Sequence, residues 1–170
     1  MAPLPIKFTE LINLTNAEIA PASIGFNSCT LESDHYVCVR QKLNEEDKPQ
    51  VIIINLKNNN EILKRPINAD SAIMHWTKNI IALKAQGRTI QIFDLGAKQK
   101  LKSAVMNEDV VYWKWFSDKC LGLVTDSSVY HWDVFDPTQS QPLKIFDRLP
   151  NLSVRHMHRT HVNKRLELES

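Results

Sequence analysis

Glycine is scarce, with four in 170 residues at positions 25, 87, 96 and 122. No G-x-G-x-x-G, P-loop or G-x-S-x-G string can be built from them, so phosphate cradling and acyl transfer lose their usual carriers. Cysteine is scarcer: Cys29, Cys38 and Cys120 are widely spaced and form no C-x-x-C pair. Thiol redox and zinc chemistry give way to buried thiols inside strands. No stretch approaches the ~20 apolar residues that a membrane-crossing helix needs. The opening MAPLPIKFTE lacks the basic leader and apolar run of a secretory signal. The expectation is a cytosolic chain, in which the N-x-S/T sequons at Asn13 and Asn151 carry no weight.

Excess charge is missing as well. The formal net charge is +2, and the segment after residue 153 supplies all of it, through Arg155, Arg159, Lys164 and Arg165 against Glu167 and Glu169. Residues 1–153 carry 17 basic and 17 acidic side chains, whereas a nucleic-acid binder concentrates basic charge on its domain. Nucleic acid is therefore not an expected partner. A hydrophobic content of 43% is that of an ordinary globular protein, enough for one domain with a core.

What the sequence does contain is repetition. Short runs rich in β-branched and aromatic residues recur: YVCVR from Tyr36, VIIINL from Val51, NIIALKA from Asn79, RTIQIFDL from Arg88, VVYWKWF from Val110 and SVYHWDVF from Ser128. Polar turn material bounds each run, as it bounds strands. The run at Val51 has counterparts at Thr89 and Ser128, offsets of 38 and 39, and the run at Tyr36 has counterparts at Ile80 and Leu121, offsets of 44 and 41. A more polar fourth strand, EILKRPI, KQKLKSAVM or QPLKIFDR, closes each unit. Four strands in ~40 residues is the signature of a propeller blade. The fold class expected is all-β, a partial β-propeller of about three four-stranded blades at roughly 24–67, 72–106 and 110–148. Three blades cannot close a ring, so the chain reads as truncated. Residues 8–20 fit either one helical turn or an irregular strand. Residues 154–170 match no repeat and read as a disordered tail.

Candidate chemistry is thin. His75 and His131 lie in strand-like runs and read as histidines satisfied by backbone rather than general bases. Asp70 and Ser71 read as a turn cap. Trp113 and Trp115 share one face of a strand and read as packing between blades. His156, His158 and His161 lack a cysteine or carboxylate companion at ligand spacing, so neither a metal nor a cofactor is expected. With no converging nucleophile, base or metal, the chain reads as a non-enzyme.

Longer stretches carry a resemblance. ESDHYVCVR, RPINADSAIM from Arg65, IALKAQGRTIQIF from Ile81, AKQKLKS from Ala97, DVVYWKW from Asp109, GLVTDSSVYHW from Gly122 and KIFDR from Lys144 closely resemble the clathrin heavy-chain terminal domain, nearly continuously from residue 4 to residue 153. The resemblance implies a seven-bladed, WD40-like propeller, of which residues 1–153 hold three blades. It implies a groove between the first and second blades that takes acidic, leucine-rich clathrin-box peptides from adaptor proteins. Carried over by position, the groove residues are Leu63, Arg65, Ile67, Ile81, Thr89, Gln91, Phe93, Lys98 and Lys100. A second peptide site on the propeller's top would include Phe26, its other residues lying beyond the matching stretch. The implied setting is the cytoplasmic face of coated pits and vesicles, with membrane contact only through adaptors, while the family's trimerisation and light-chain segments lie outside this chain. Two other readings are a generic propeller scaffold for protein interactions and a truncated product without function.

Overall fold

The computed structural model describes residues 6–42, 49–149, 156–159 and 166–169, the last two stretches as backbone. Three four-stranded antiparallel sheets follow one another along the chain. The first holds β1 (Cys29–Thr30), β2 (Tyr36–Gln41), β3 (Gln50–Asn55) and β4 (Glu61–Pro66). The second holds β5 (Ser71–Met74), β6 (Ile80–Ala85), β7 (Thr89–Asp94) and β8 (Gln99–Val105). The third holds β9 (Tyr112–Trp115), β10 (Cys120–Val124), β11 (Ser128–Asp133) and β12 (Leu143–Asp147). Every strand pairs with its sequence neighbour, so each sheet is a meander.

The third strands begin at Gln50, Thr89 and Ser128, a uniform spacing of 39 residues. The sequence runs suggested 38 for the first interval. The single residue matters because side chains alternate, and a slip of one would swap the two faces of a strand. At 39, Val51, Ile90 and Val129 stand on equivalent faces.

Alternation decides where the core lies. Tyr36, Cys38, Val51 and Ile53 of the first sheet pack against Met74, Ile81 and Leu83 of the second. The second sheet's other face, with Ile73, Ala82, Ile90 and Ile92, packs against Trp113, Trp115, Leu121, Leu123 and Trp132 of the third. Both indoles of the WKW run are therefore core residues between sheets. The outward face of the first sheet, with Val37, Val39, Ile52 and Ile54, is covered by Ile12, Leu14, Ala17 and Ile19. The covering segment is neither a full helical turn nor a strand. The Asn13 carboxamide oxygen accepts from the Thr15 N–H at 3.0 Å, residues 14–18 turn, and Pro21–Ser23 form a 3-10 turn with proline at its start.

The outward face of the third sheet carries Val124 and Val129, with Tyr112, Phe116 and Phe146 packed around them. Further along the chain, β13 (His156–Arg159) pairs with β14 (Leu166–Glu169), with His156 opposite Glu169 in the register. The rest of the segment expected to be a disordered tail, including His161, lies outside the described residues.

Candidate functional site

A cleft of about 520 Å³ opens between the first and second sheets. Its lining includes Arg65, Ile67, Ile81, Gln91, Phe93 and Lys98, six of the nine positions expected from sequence. Strand pairing explains how they meet. Ile81 of β6 stands directly across from Phe93 of β7, and Leu83 across from Gln91. Cross-strand partners share a face, and this face turns toward the first sheet. From that sheet, β4 contributes Arg65, paired with Val51 of the same core layer.

The remaining three positions are placed differently. Leu63 packs with Ile67, Phe93 and Leu95 beside the cleft without lining it. Thr89 sits at the far end of β7, paired with Ala85, and does not line it either. Lys100 stands at the rim, directly across from Phe93. That placement depends on a bulge: β7 Ile92 pairs with Lys102 while the adjacent Phe93 pairs with Lys100, so Leu101 is an extra residue. Leu101 packs toward the third sheet, and the bulge turns Lys100 to the cleft side. Phe26 is fully exposed and does not line the cleft.

Sequence reasoning did not name Pro66, Leu83, Asp94 and Leu95, which also line the cleft. Period-2 alternation from Ile81 and Phe93 would have found Leu83 and Leu95. Pro66 and Asp94 lie on the other parity, at strand ends, where alternation gives no signal.

The cleft is apolar at its floor and cationic at its edges. Ile81 is fully buried, while Arg65, Gln91 and Phe93 are half-buried and Lys98 and Lys100 exposed. Among the described residues none of Arg65, Lys98 and Lys100 forms an ion pair. The neighbouring Lys64 is already engaged with Glu18, at 2.6 Å. Asp94, the acid in the lining, accepts from the Ala97 N–H at 2.9 Å and so caps the β7–β8 turn. Unpaired cations around an apolar floor are suited to an extended ligand with apolar side chains and carboxylates. No group of three or more potential metal ligands exists among the described residues.

The other singled-out residues are structural. His75 is fully buried; its Nδ1 accepts from the Thr77 and Lys78 N–H groups at 3.2 and 3.1 Å, and its Nε2 bonds Asp118 O at 2.9 Å. His131 departs from expectation, because among the described residues its buried Nε2 has no hydrogen-bond partner instead of being satisfied by backbone. Asp70 caps a turn as expected, accepting from the Gly87 N–H at 2.8 Å. Cys38 is buried, and burial pushes its thiol up to about 12; Cys29 and Cys120 are only half-buried.

No protein-family model matches the chain. Among curated proteins it is 53% identical over 150 residues to the probable clathrin heavy chain of Schizosaccharomyces pombe, covering 88% of this chain and 9% of that one. It is 48% identical over 151 residues to the clathrin heavy chain of Drosophila melanogaster and 45% over 149 residues to clathrin heavy chain 2 of Homo sapiens, each again covering 9% of the relative. Among solved structures, Kluyveromyces lactis Hsv2 superposes with a TM-score of 0.53 at 14% identity, over 69% of this chain and 36% of that one. A variant of KlHsv2 with loop 6CD replaced by a Gly-Ser linker gives 0.55, also at 14%. At such identity the likeness bears on the fold, that of a propeller with three of its sheets present. With a spacing of 39 residues, three stacked meanders and 42–53% identity to curated relatives, the chain is a homologue of the clathrin heavy chains that spans about a tenth of their length as part of a β-propeller.

Proposed function

We propose that the chain captures short, extended, acidic and leucine-rich peptides of adaptor proteins in the cleft between its first two sheets, as a segment of a vesicle coat on the cytoplasmic side of membranes. The observation that supports this most is the cleft itself, where an apolar floor of Ile81, Leu83 and Phe93 is edged by the unpaired cations Arg65, Lys98 and Lys100. Apolar side chains of the peptide enter the floor, the Gln91 carboxamide hydrogen-bonds its backbone, and its carboxylates meet the cationic rim. The rim contacts are solvent-exposed and weaken with added salt. One shallow groove binds weakly, and a coat that displays many grooves to many motifs gains avidity by ~10² or more. No catalytic step is assigned. The fully exposed Phe26 fits a second peptide contact whose other members lie outside this chain.

Fluorescence anisotropy with a labelled acidic, leucine-containing peptide tests the reading. The wild-type chain binds, and the Lys98→Glu, Lys100→Glu double variant loses binding while keeping the same circular dichroism spectrum. Equal affinity of the two proteins would sink the proposal.

A further inference from the structure

The turn that joins β7 to β8 holds its backbone differently from the matching turns of the other two sheets. Lys98, the last residue before β8, has a φ of 53°, in the left-handed region. That region is crowded for a lysine, whereas asparagine enters it readily. The corresponding turn of the first sheet puts Asn59 and Asn60 there, at φ of 50° and 55°. In the third sheet the position 39 residues after Lys98 is Pro137, whose ring excludes a positive φ. Of the three turns, then, the second alone places a cation in the left-handed region, and that cation lines the cleft.

A strained backbone persists where its surroundings hold it, and here the holder is Asp94. Its Oδ1 accepts from the Ala97 N–H, the amide just before Lys98, at 2.9 Å. Gly96 leaves the carboxylate room, because a Cβ at that position would stand 3.3 Å from the same oxygen. The Leu95 N–H donates to Asn79 O at 2.9 Å, so the near end of the turn is anchored through its backbone. The Asp94 side chain therefore fixes the far end, Ala97 and Lys98. Asp133 repeats the cap in the third sheet, accepting from the Asp136 N–H at 3.0 Å, but Pro137 follows there instead of a lysine. Asp94 forms no ion pair among the described residues. Its carboxylate repels an acidic ligand directly, so any help it gives to capture comes through the turn.

We propose that Asp94 is a positioning residue for peptide capture: its cap on the Ala97 N–H keeps Lys98 in the left-handed region, with the ammonium at the edge of the cleft. The inference rests on the reading of the cleft as a peptide groove. Without the cap, Lys98 relaxes into an ordinary backbone conformation and its ammonium leaves the cleft. Lys100, fixed by its pairing with Phe93, stays.

Anisotropy with the labelled acidic, leucine-containing peptide, read across a salt series, tests this. Asp94→Ala weakens binding roughly threefold, the size of one exposed charge contact, and flattens the dependence on salt. Asp94→Asn keeps the accepting oxygen and binds at least as tightly as the wild type. In a Lys98→Ala background, Asp94→Ala causes no further loss, because the residue it positions is already gone. Unchanged affinity of Asp94→Ala, equal weakening by Asp94→Asn, or the same loss with and without Lys98 would each overturn the inference while leaving peptide capture in place. No binding by the wild-type chain would instead overturn the reading of the cleft, and this inference with it.

Discussion

Phe93 owes its place in the cleft to strand alternation, Lys100 owes its place to a bulge, and His75 to neither. The imidazole lies between the second and third sheets, 4.9 Å from the Trp115 ring and 6.3 Å from Phe135, edge-on to both. Burial holds its pKa below the usual histidine value, the Lys78 ammonium adds to that, and the hydrogen bond and charge of Asp118 oppose it. A proton on Nδ1 would also point at two N–H donors. The sign follows: the folded-state pKa is depressed, so the full stability is present above about pH 6.5 and is lost as pH falls toward the folded value. His131 is depressed in the same direction by burial. Thermal melts at pH 7.5 and 5.0 should therefore show a lower melting temperature at the acid value. His75→Ser, which installs the residue that Ser33 and Ser117 supply at the corresponding turns of the other two sheets, should narrow the gap; an unchanged gap would remove His75 from the account.

At the scale of elements, the β8 bulge ties the cleft to the third sheet. Deleting Leu101 makes the pairs Ile92–Lys102 and Phe93–Lys100 consecutive, so Lys100 keeps the cleft side while an apolar contact to the third sheet is lost. Peptide affinity and its slope against salt should survive in the deletion variant while its melting temperature falls, and a loss of affinity without a lower melting temperature would refute this account of the bulge. The bulge also marks the limit of what sequence could reveal. Runs such as VIIINL and RTIQIFDL declare their strands because β-branched residues and period-2 alternation coincide there. The polar strand QKLKSAV has no such pattern, and its side-chain directions follow from pairing geometry. The same holds for Cys29–Thr30, only two residues long, which no run signals. Leu83 and Leu95 were readable by parity from Ile81 and Phe93, whereas Pro66 and Asp94 enter the cleft through the ends of strands. His131 breaks the isoleucine pattern of Ile53 and Ile92, so only the packed structure exposes its unfilled nitrogen.

For the molecule as a whole, the two ends of the stack differ. One is covered by residues 12–19, and at the other Val124 and Val129 are buried with the half-buried Tyr112, Phe116 and Phe146 packed against them. Removing residues 6–20 would uncover Val37, Val39, Ile52 and Ile54, four buried aliphatics. The shortened chain should melt at a lower temperature and scatter light at concentrations where the full chain stays monodisperse, since exposed apolar sheet faces associate. A melt identical to the full chain's would show that the cover contributes nothing.

The meander connectivity has a consequence for how such a chain comes into being. Each strand pairs with the one made just before it, so no contact within a sheet waits for distant residues, and local topologies of this kind close quickly. A sheet of some forty residues leaves the ribosome in a few seconds. The first sheet can be lidded by the residues translated ahead of it before the second exists, and each finished sheet becomes the template on which its successor condenses. Assembly thus has a direction, from the first-made end outward, and the order of synthesis is also the order of folding.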